Sequence, residues 1–429
     1  MEDRAHRARQ QSFGNRYRNI ELPEVVALRP ISTTQQGVAR AFSDEQRPSL
    51  HSSRDTRWNA NEESETHLML SSPATTLYTI SHLVFFSILG TLARLGVEAF
   101  TSYPSAPFTS PVLWSNLGGS FVLGFLAEDR RIFREEWGIF SSSEDWSFHP
   151  TTIESNNADR IQHAWRNHSR VKKTIPLFIG LATGFCGSFT SFSSFVRDAF
   201  LALSNALPSP SATLSSIPSR NGGYGSEALL AVLIIHITVS ISAYKFGAHL
   251  ALALDPIMPT LPFQSIRRIL DPLIVFLGFG SWIGAVLLTA FPPHQYWRGR
   301  VTYALVLAPL GCLLRFYVSK HLNPRVSSFP LGTFVVNILG TIILGMSFDL
   351  QHSMTIARDV MSCHVLQGVM DGFCGCATTV STWVAELNGL ERKHSYLYGS
   401  VSIIVALLFL IVIMGSLHWS RGFTTPVCK

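Results

Sequence analysis

Two arginines stand inside long apolar runs of this 429-residue chain. Arg94 lies within residues 76–100 and Arg315 within residues 301–321. A charged side chain inside a bilayer costs on the order of 3 kcal/mol or more, so a function is the first expectation. An arginine can also extend to the membrane interface or be neutralised by backbone carbonyls. Its occurrence in two runs favours function.

Two asparagines follow the arginines at a constant distance. Arg94 and Asn116 are 22 positions apart, and so are Arg315 and Asn337. Each asparagine begins an Asn-x-x-Gly pattern, whose glycine lets membrane helices approach closely. A neutral amide donates two hydrogen bonds, so it can replace water around an anion without holding it as a fixed charge would. The alternative is a helix–helix contact, but the repetition favours a pore-lining role.

Gly-Phe-Cys-Gly occurs twice, at the start of 184–195 and of 372–383, and hydroxyl residues follow it both times. Clusters of Gly, Ser and Thr allow a membrane helix to break if the freed backbone groups find partners. Freed carbonyls can bind a hard cation such as sodium. Phe192 and Phe195 share a helical face, and their electropositive ring edges can face an anion. Such a pair on its own is usually ordinary packing.

The elements that must position these residues are membrane helices. Charged residues make up 14% of the chain and hydrophobic residues 47%, and the mean hydropathy is +0.23, which argues against a soluble enzyme. No nucleophile–base pair is recognisable, so no enzyme is expected. About 20 apolar residues span a bilayer. Runs of this kind predict nine spans: 76–100, 111–127, 175–203, 228–254, 273–291, 301–321, 331–350, 365–387 and 396–417.

The ordered motifs divide the spans into two units of four, and the fifth span matches neither unit. Because four plus one is odd, the second unit must enter the membrane from the opposite face. The predicted fold is an all-α polytopic membrane protein, with two inverted four-helix units joined by a linking transmembrane helix. The predicted organisation is a disordered polar tail (1–74), the first unit (75–256), with a long loop at 128–174, the linker (257–300), the second unit (301–420) and a C-terminal tail (421–429).

Lys and Arg are concentrated in alternate loops, which predicts a cytosolic N-terminus and an extracellular C-terminus, with Arg298 and Arg300 as exceptions. The chain is expected in the lipid bilayer of the plasma membrane. No basic stripe interleaved with aromatics is present, so no nucleic-acid partner is expected. The six cysteines are scattered, and neither a zinc site nor a disulfide scaffold is expected.

Taken together and in order, Gly-x-x-x-Arg, Asn-x-x-Gly and the Gly-Phe-Cys-Gly segments resemble the CrcB/Fluc fluoride channel family. The duplicated form with a linking helix is similar to the eukaryotic fluoride export proteins. The resemblance implies a passive, fluoride-selective channel that exports fluoride from the cytosol and gives fluoride resistance. It also implies two pores along the interface between the units, in a single fused chain without obligate homodimerisation.

The resemblance further implies roles for individual residues. The implied pore residues are Asn116, Asn337, Phe192, Phe195, Trp383, Thr379, Ser193, Tyr398 and Ser402. Arg94 and Arg315 match the first-helix arginines. Backbone carbonyls would hold a structural sodium ion at Gly187, Thr190, Gly375 and Thr378. Val380 and Trp383 stand where phenylalanines are expected, so one working pore and one degenerate pore are predicted, with Phe192 on the working path.

Two other functions stay open. A proton-coupled transporter of a small solute needs a titratable carboxylate at the midplane, whereas Glu98 and Glu386 lie near the ends of predicted spans. A non-transporting membrane scaffold would act through its tail, and deletion of residues 1–70 would separate it from a channel. His236 and His249 are expected to be packing or surface residues.

Overall fold

The structure is a computed structural model that describes residues 72–103, 106, 108, 110–133, 172–207, 221–262, 265–291, 301–353 and 359–428. The predicted polar tail and most of the long loop 128–174 lie outside these residues. Within them the chain is helical and contains no strand. The prediction of an all-α membrane protein is confirmed at this level.

The described residues contain ten helices of at least nine residues. They are α1 (Ser72–Thr101), α2 (Val112–Glu128), α3 (Phe192–Leu203), α4 (Gly222–Leu254), α5 (Asp271–Ala290), α6 (Tyr303–Leu322), α7 (Leu331–Gln351), α8 (Val360–Gly368), α9 (Ser381–Gly389) and α10 (Arg392–Ser420).

Within the described residues, seven helical stretches are long and apolar enough to cross a membrane, and seven of the nine predicted spans coincide with them. They are Pro73–Thr101, Pro176–Leu203, Gly223–Ile257, Ile266–Ala290, Tyr303–Arg325, Leu331–Gln351 and Arg392–Ser420. The predicted spans 111–127 and 365–387 are not among the seven. The first corresponds to α2, which has only 17 residues. The second contains a break and two acidic residues, Asp371 and Glu386.

The predicted linking helix, α5, packs against both units. Gly278 of α5 lies so close to α1 that a Cβ there would be 2.7 Å from the Ser81 carbonyl oxygen. At the start of α5, Asp271 Oδ1 lies 3.5 Å from the buried His82 Nε2 of α1. Toward the second unit, the Trp282 Nε1–H donates to the Val306 carbonyl at 2.9 Å. Close packing and polar contacts therefore fix α5 between α1 and α6.

Small residues bring the helices of each unit together. Gly124 of α2 lies directly against the Tyr244 carbonyl of α4, and Gly247 of α4 against the Phe121 carbonyl of α2. In the second unit, Gly345 of α7 lies against the Leu410 side chain of α10. This agrees with the small-residue face that the Asn-x-x-Gly patterns predict.

The C-terminal end of α2 is capped by a buried lysine. The Lys172 ammonium donates to the carbonyls of Leu126 (2.8 Å), Ala127 (3.0 Å) and Asp129 (2.7 Å). Burial lowers the pKa of Lys172 to about 8, opposed by the nearby charge of Asp129. The cap satisfies carbonyls that a helix end leaves unpaired, and its positive charge interacts favourably with the negative end of the helix dipole.

A disulfide joins Cys363, in α8, to Cys428, near the C-terminus. The described residues thus contain one disulfide, a pairing that the scattered cysteines did not predict. The C-terminal segment folds back onto the end of α7, where the Phe423 ring lies 5.2 Å from that of Phe348 and Thr424 N–H donates to the His352 carbonyl at 3.2 Å. This fold-back brings two cysteines 65 positions apart into bonding distance.

Candidate ion pathway

Two broken helices meet at the centre of the fold. In the first unit, π-helical Gly180–Cys186 and the short turn Gly187–Phe189 lead to an extended Thr190 (φ −98°, ψ 152°), and α3 follows. In the second unit, π-helical Val369–Cys374 and Gly375–Ala377 lead to an extended Thr378 (φ −96°, ψ 152°), and α9 follows. Both breaks fall at the Gly-, Ser- and Thr-rich segments where the sequence indicates them.

The Thr190 side chain caps the helix that follows the other unit's break. Its Oγ1 accepts hydrogen bonds from the backbone N–H groups of Val380 (3.2 Å) and Ser381 (3.1 Å) at the start of α9. The same hydroxyl donates to the Cys186 carbonyl at 3.1 Å. Thr190 Oγ1 also lies 3.1 Å from Thr379 Oγ1. A helix start is therefore stabilised by a hydroxyl from the opposite unit.

Thr378 makes the reciprocal contacts. Its Oγ1 accepts the Ser193 N–H at 3.1 Å near the start of α3 and donates to the Cys374 carbonyl at 2.9 Å. Ser193 Oγ lies 2.9 Å from the same hydroxyl. Because all three residues are fully or almost fully buried, these hydroxyls have no bulk water to replace the lost bonds. Each unit therefore supplies a hydroxyl that stabilises the helix start after the break of the other unit.

Each repeated asparagine clamps the break of its own unit. Asn116 Oδ1 accepts the Ser191 N–H at 2.9 Å, and its amide nitrogen donates to the Ser191 carbonyl at 3.5 Å. Asn337 does the same with Thr379, at 2.9 and 3.3 Å. Each amide nitrogen makes one such bond among the described residues, so its second N–H is left for another acceptor. The side chains thus hold the backbone and retain a donor.

Arg94 is fully buried and lies between the two units. Its Nε donates to the Ser188 carbonyl of its own unit at 3.1 Å, and Nη2 donates to the Asp371 carbonyl of the other unit. The guanidinium lies on Gly375, where a Cβ would collide with it. The charge of Arg94 is therefore bound by backbone carbonyls inside the fold, and its side chain does not extend to the membrane surface.

Arg315 repeats this arrangement with 2% exposure. Its Nε donates to the Cys376 carbonyl at 2.9 Å, and Nη2 donates to the Thr183 carbonyl at 2.8 Å. Its guanidinium lies on Gly187, which again leaves no space for a Cβ. The two arginines therefore join the units at positions where glycine is required.

Exchange of the two units converts most of these contacts into their counterparts, whereas the bond from the Val380 N–H to Thr190 has no equivalent at Thr378. The equivalent pairs are Arg94 and Arg315, Asn116 and Asn337, Ser188 and Cys376, Thr183 and Asp371, and Thr190 and Thr378. The equivalence follows the order of the sequence repeats. The crossing is thus approximately two-fold symmetric.

The aromatic residues pair across the units. The ring centroids of Phe192 and Trp383 are 5.6 Å apart at an interplanar angle of 63°, and Phe192 also meets Phe195 edge-on at 5.9 Å. Phe195 stacks on His236 at 4.7 Å. Val380 is buried and supplies no ring. The complete cross-unit aromatic pair is therefore Phe192 with Trp383.

The second unit buries a carboxylate that lies near the end of a predicted span. Glu386, 1% exposed, accepts hydrogen bonds from Thr333 Oγ1 (2.5 Å) and Tyr398 Oη (2.6 Å). The hydroxyl of Ser402 donates to the Tyr398 carbonyl at 2.7 Å, and both residues are fully buried. The predicted polar pair on the last span thus adjoins a buried acid.

The first unit has an acid at the equivalent place. Asp198 accepts from Ser110 Oγ at 2.6 Å and pairs with Arg197 at 2.8 Å. Ser110 Oγ also lies 3.0 Å from His236 Nε2, so His236 is buried and polar in its contacts, whereas His249 is exposed. Asp198 and Glu386 each follow the last aromatic of their repeat by three residues. This shared spacing is a sequence signal that could have identified both.

The residues predicted to bind sodium lie at this crossing. The described residues contain no group of three or more His, Cys, Asp or Glu side chains able to hold a metal. Thr190 and Thr378 are extended, so their carbonyls leave the helical pattern, and oxygen donors are what a hard cation takes. Backbone carbonyls are thus the right kind of donor for sodium, whereas the guanidinium groups against Gly187 and Gly375 oppose a positive charge beside them. The sodium site stays a prediction.

Comparisons with known proteins match both halves of the chain. The family described as "CrcB-like protein, Camphor Resistance (CrcB)" matches residues 82–245 and 302–416. Fluoride export protein 1 of Neurospora crassa is 53% identical over 372 residues, which are 84% of this chain and 70% of that protein. Fluoride export protein 1 of Candida albicans is 35% identical over 349 residues, 80% of each chain.

A bacterial relative is much shorter. The Fluoride-specific ion channel FluC of Acinetobacter baylyi is 33% identical over 114 residues, which are 26% of this chain and 86% of the bacterial protein. No solved structure matches the chain.

Proposed function

The chain belongs to the family of CrcB-like proteins, and from this membership we propose that it is a fluoride-selective channel that exports fluoride from the cytosol. The relatives named as fluoride export proteins cover both units, and the bacterial relative is named as a fluoride-specific ion channel. Neither the proton-coupled transporter nor the scaffold finds support among them.

The observation that best supports the proposal is the buried crossing of two broken helices. Fluoride is small and strongly hydrated, so a path through the membrane must supply replacement hydrogen-bond donors at every step. Asn116 and Asn337 each retain an amide N–H beside the breaks, and neutral donors hold an anion less firmly than a fixed charge does. The crossing thus has the chemistry of a passive anion path.

The direction of transport follows from acid–base chemistry and the membrane potential. Hydrogen fluoride is a weak acid that crosses membranes unaided and dissociates in the near-neutral cytosol, where the ion is trapped. The interior of the cell is electrically negative, so an open fluoride path lets the anion leave. No coupled ion is needed for such export.

The single chain replaces a pair of subunits. The bacterial channel matches only 114 residues, about one unit of this chain, and the contacts at the crossing exchange under a two-fold relation. We propose that the chain crosses the membrane nine times. The seven long helical stretches make seven crossings, α2 and the broken segment from α8 to α9 make the other two, and the two units are inverted relative to each other. Since Thr190 and Thr378 cap helices in opposite units, one chain supplies a complete crossing without a second copy.

One of the two paths is proposed to conduct. Phe192 and Trp383 form a complete cross-unit aromatic pair. The repeat makes Phe195 with Val380 the equivalent pair, and there the second side chain is aliphatic. Valine has no electropositive ring edge to contact an anion. The path beside Phe192 is therefore the conducting one and the other is degenerate.

A structural sodium ion is proposed between the breaks, held by the carbonyls of Gly187, Thr190, Gly375 and Thr378. When bound, the ion would supply a positive charge that joins the two units and offsets the repulsion among freed carbonyls. Replacement of sodium by N-methylglucamine should lower the melting temperature of the purified protein. An unchanged melting temperature would contradict the site.

The disulfide supports the predicted orientation, with the N-terminus in the cytosol and the C-terminus outside the plasma membrane. Disulfides persist in oxidising compartments and are rare in the cytosol. Cys363 comes just before the eighth predicted span, and Cys428 comes after the ninth. Because two crossings separate them, both cysteines lie on the same side of the membrane. That side is therefore the external one.

The function is tested by fluoride efflux from liposomes that contain the purified chain, with chloride-loaded liposomes as the control. A channel moves net charge, so efflux should accelerate when potassium and valinomycin remove the charge imbalance, and it should persist without a pH gradient. Efflux that requires an opposing pH gradient and moves no net charge indicates proton-coupled transport. Absence of efflux leaves the scaffold.

A further inference from the structure

Trp383 carries a buried donor without a partner. Its side chain is 1% exposed and is among the largest fully buried side chains of the protein. Its Nε1–H has no hydrogen-bond acceptor among the described residues. Most buried N–H groups are paired, since an unpaired one loses its bonds to water and gains nothing in return. This donor therefore requires an explanation.

The surroundings of Trp383 show that the indole is held in place by packing alone. It is the third residue of α9, its ring meets Phe192 of the other unit at 5.6 Å, and a Cβ at Gly399 would lie 3.7 Å from its Cζ2 atom. In contrast, the indole N–H of Trp282 does find the Val306 carbonyl, at 2.9 Å. An unpaired indole is thus not general in this fold.

We propose that the Trp383 indole N–H is a hydrogen-bond donor to fluoride on the Phe192 path, which makes position 383 a determinant of anion specificity. Relative to the phenyl ring that the repeat predicts here, indole keeps an aromatic body and adds one N–H. Fluoride is the smallest halide and accepts the strongest hydrogen bonds. A donor fixed by packing favours such an anion over chloride, which is larger and gains less from the bond.

The proposal rests on the fluoride channel function proposed above, and the two fail differently. If the wild-type chain in liposomes releases no fluoride, the channel function itself is wrong. If the wild type releases fluoride, Trp383→Phe tests the donor, because phenylalanine keeps a ring and removes only the N–H side of the indole. Trp419→Phe is the matched control, since Trp419 is 61% exposed on α10.

Two quantities are measured for each variant. One is the fluoride concentration needed to raise the melting temperature of the purified protein, and the other is the rate of fluoride efflux from liposomes at low fluoride concentration. Loss of a hydrogen bond to a charged group predicts a need for about 10- to 100-fold more fluoride in Trp383→Phe. Fluoride-over-chloride selectivity should fall as well, while Trp419→Phe behaves as the wild type. A Trp383→Phe protein that matches the wild type in both fluoride measurements overturns the proposal.

A second substitution covers the case in which Trp383→Phe does not fold. Benzothienylalanine incorporated at position 383 has nearly the shape of tryptophan, with sulfur in place of the N–H. The same loss of fluoride affinity is expected with an unchanged melting temperature in the absence of fluoride. Wild-type fluoride affinity with this residue would show that the N–H does not contact the ion.

Discussion

Substitution of Thr190 by valine tests whether the two units stabilise each other through their breaks. Valine has nearly the shape of threonine, so packing is conserved while the hydroxyl is lost. The hydroxyl accepts from the N–H groups of Val380 and Ser381 and donates to the Cys186 carbonyl. All of these contacts are buried, so water cannot replace them.

The expected loss follows from these contacts. A side-chain cap at a helix start contributes about 1 kcal/mol, and a buried donor left unpaired costs about 1–3 kcal/mol. With two backbone N–H groups losing their shared acceptor, the loss for Thr190→Val is about 3 kcal/mol. At about 1 °C per kcal/mol for a chain of this length, the melting temperature should fall by about 3 °C.

Thermal unfolding of the purified protein in detergent measures this loss. Thr183→Val is a matched control in the helical segment that precedes the break, because Thr183 contributes its backbone carbonyl to Arg315, which valine retains. Thr378→Val should also be destabilising, but less, since Thr378 accepts one backbone N–H. If Thr190→Val melts with the wild type and the control, the reciprocal capping has no energetic role and the reasoning is refuted.

Three further predictions concern the path, the disulfide and the lysine cap. Phe192→Leu should remove most of the fluoride efflux and Val380→Leu little of it; equal sensitivity would mean two working paths. Cys363→Ser or Cys428→Ser should lower the free energy of unfolding by at most about 4 kcal/mol for a loop of this length, and by less if the helices stay in the membrane when the protein unfolds. A reductant should lower the melting temperature of the wild type but not that of either variant. Lys172→Met should destabilise the end of α2 by about 2 kcal/mol in melting assays. Because the folded pKa of Lys172 (about 8) lies below that of a free lysine, the unfolded state binds more protons between these values, so the wild type should gain stability over Lys172→Met as the pH rises from 8 to 10.

Local composition predicts much of this fold. Hydropathy places seven helices within about seven residues of their observed ends, and the Gly-, Ser- and Thr-rich segments mark both breaks. The spacing from Arg94 to Asn116 repeats in the second unit, and the contacts of these residues repeat with it. Such features are predictable because each depends on residues close together in the sequence.

The contacts between distant residues were not predictable. Thr190 caps a helix that begins about 190 positions later, and no local pattern indicates which unit supplies a cap. The disulfide depends on a fold-back of the last residues onto α7, which scattered cysteines do not reveal. The burial of Glu386 was not predictable either, because it depends on Thr333 and Tyr398, which donate to the carboxylate from other helices.

The most direct measurement of the central function is the reversal potential of the purified chain in a planar bilayer with a fluoride gradient. A passive fluoride path predicts a shift of about 59 mV for each tenfold gradient of fluoride, as for any single-charge ion at equilibrium. A chloride gradient should leave the potential unchanged, and so should a pH gradient. A potential that follows pH, or that follows chloride as closely as fluoride, would contradict a passive fluoride-selective channel.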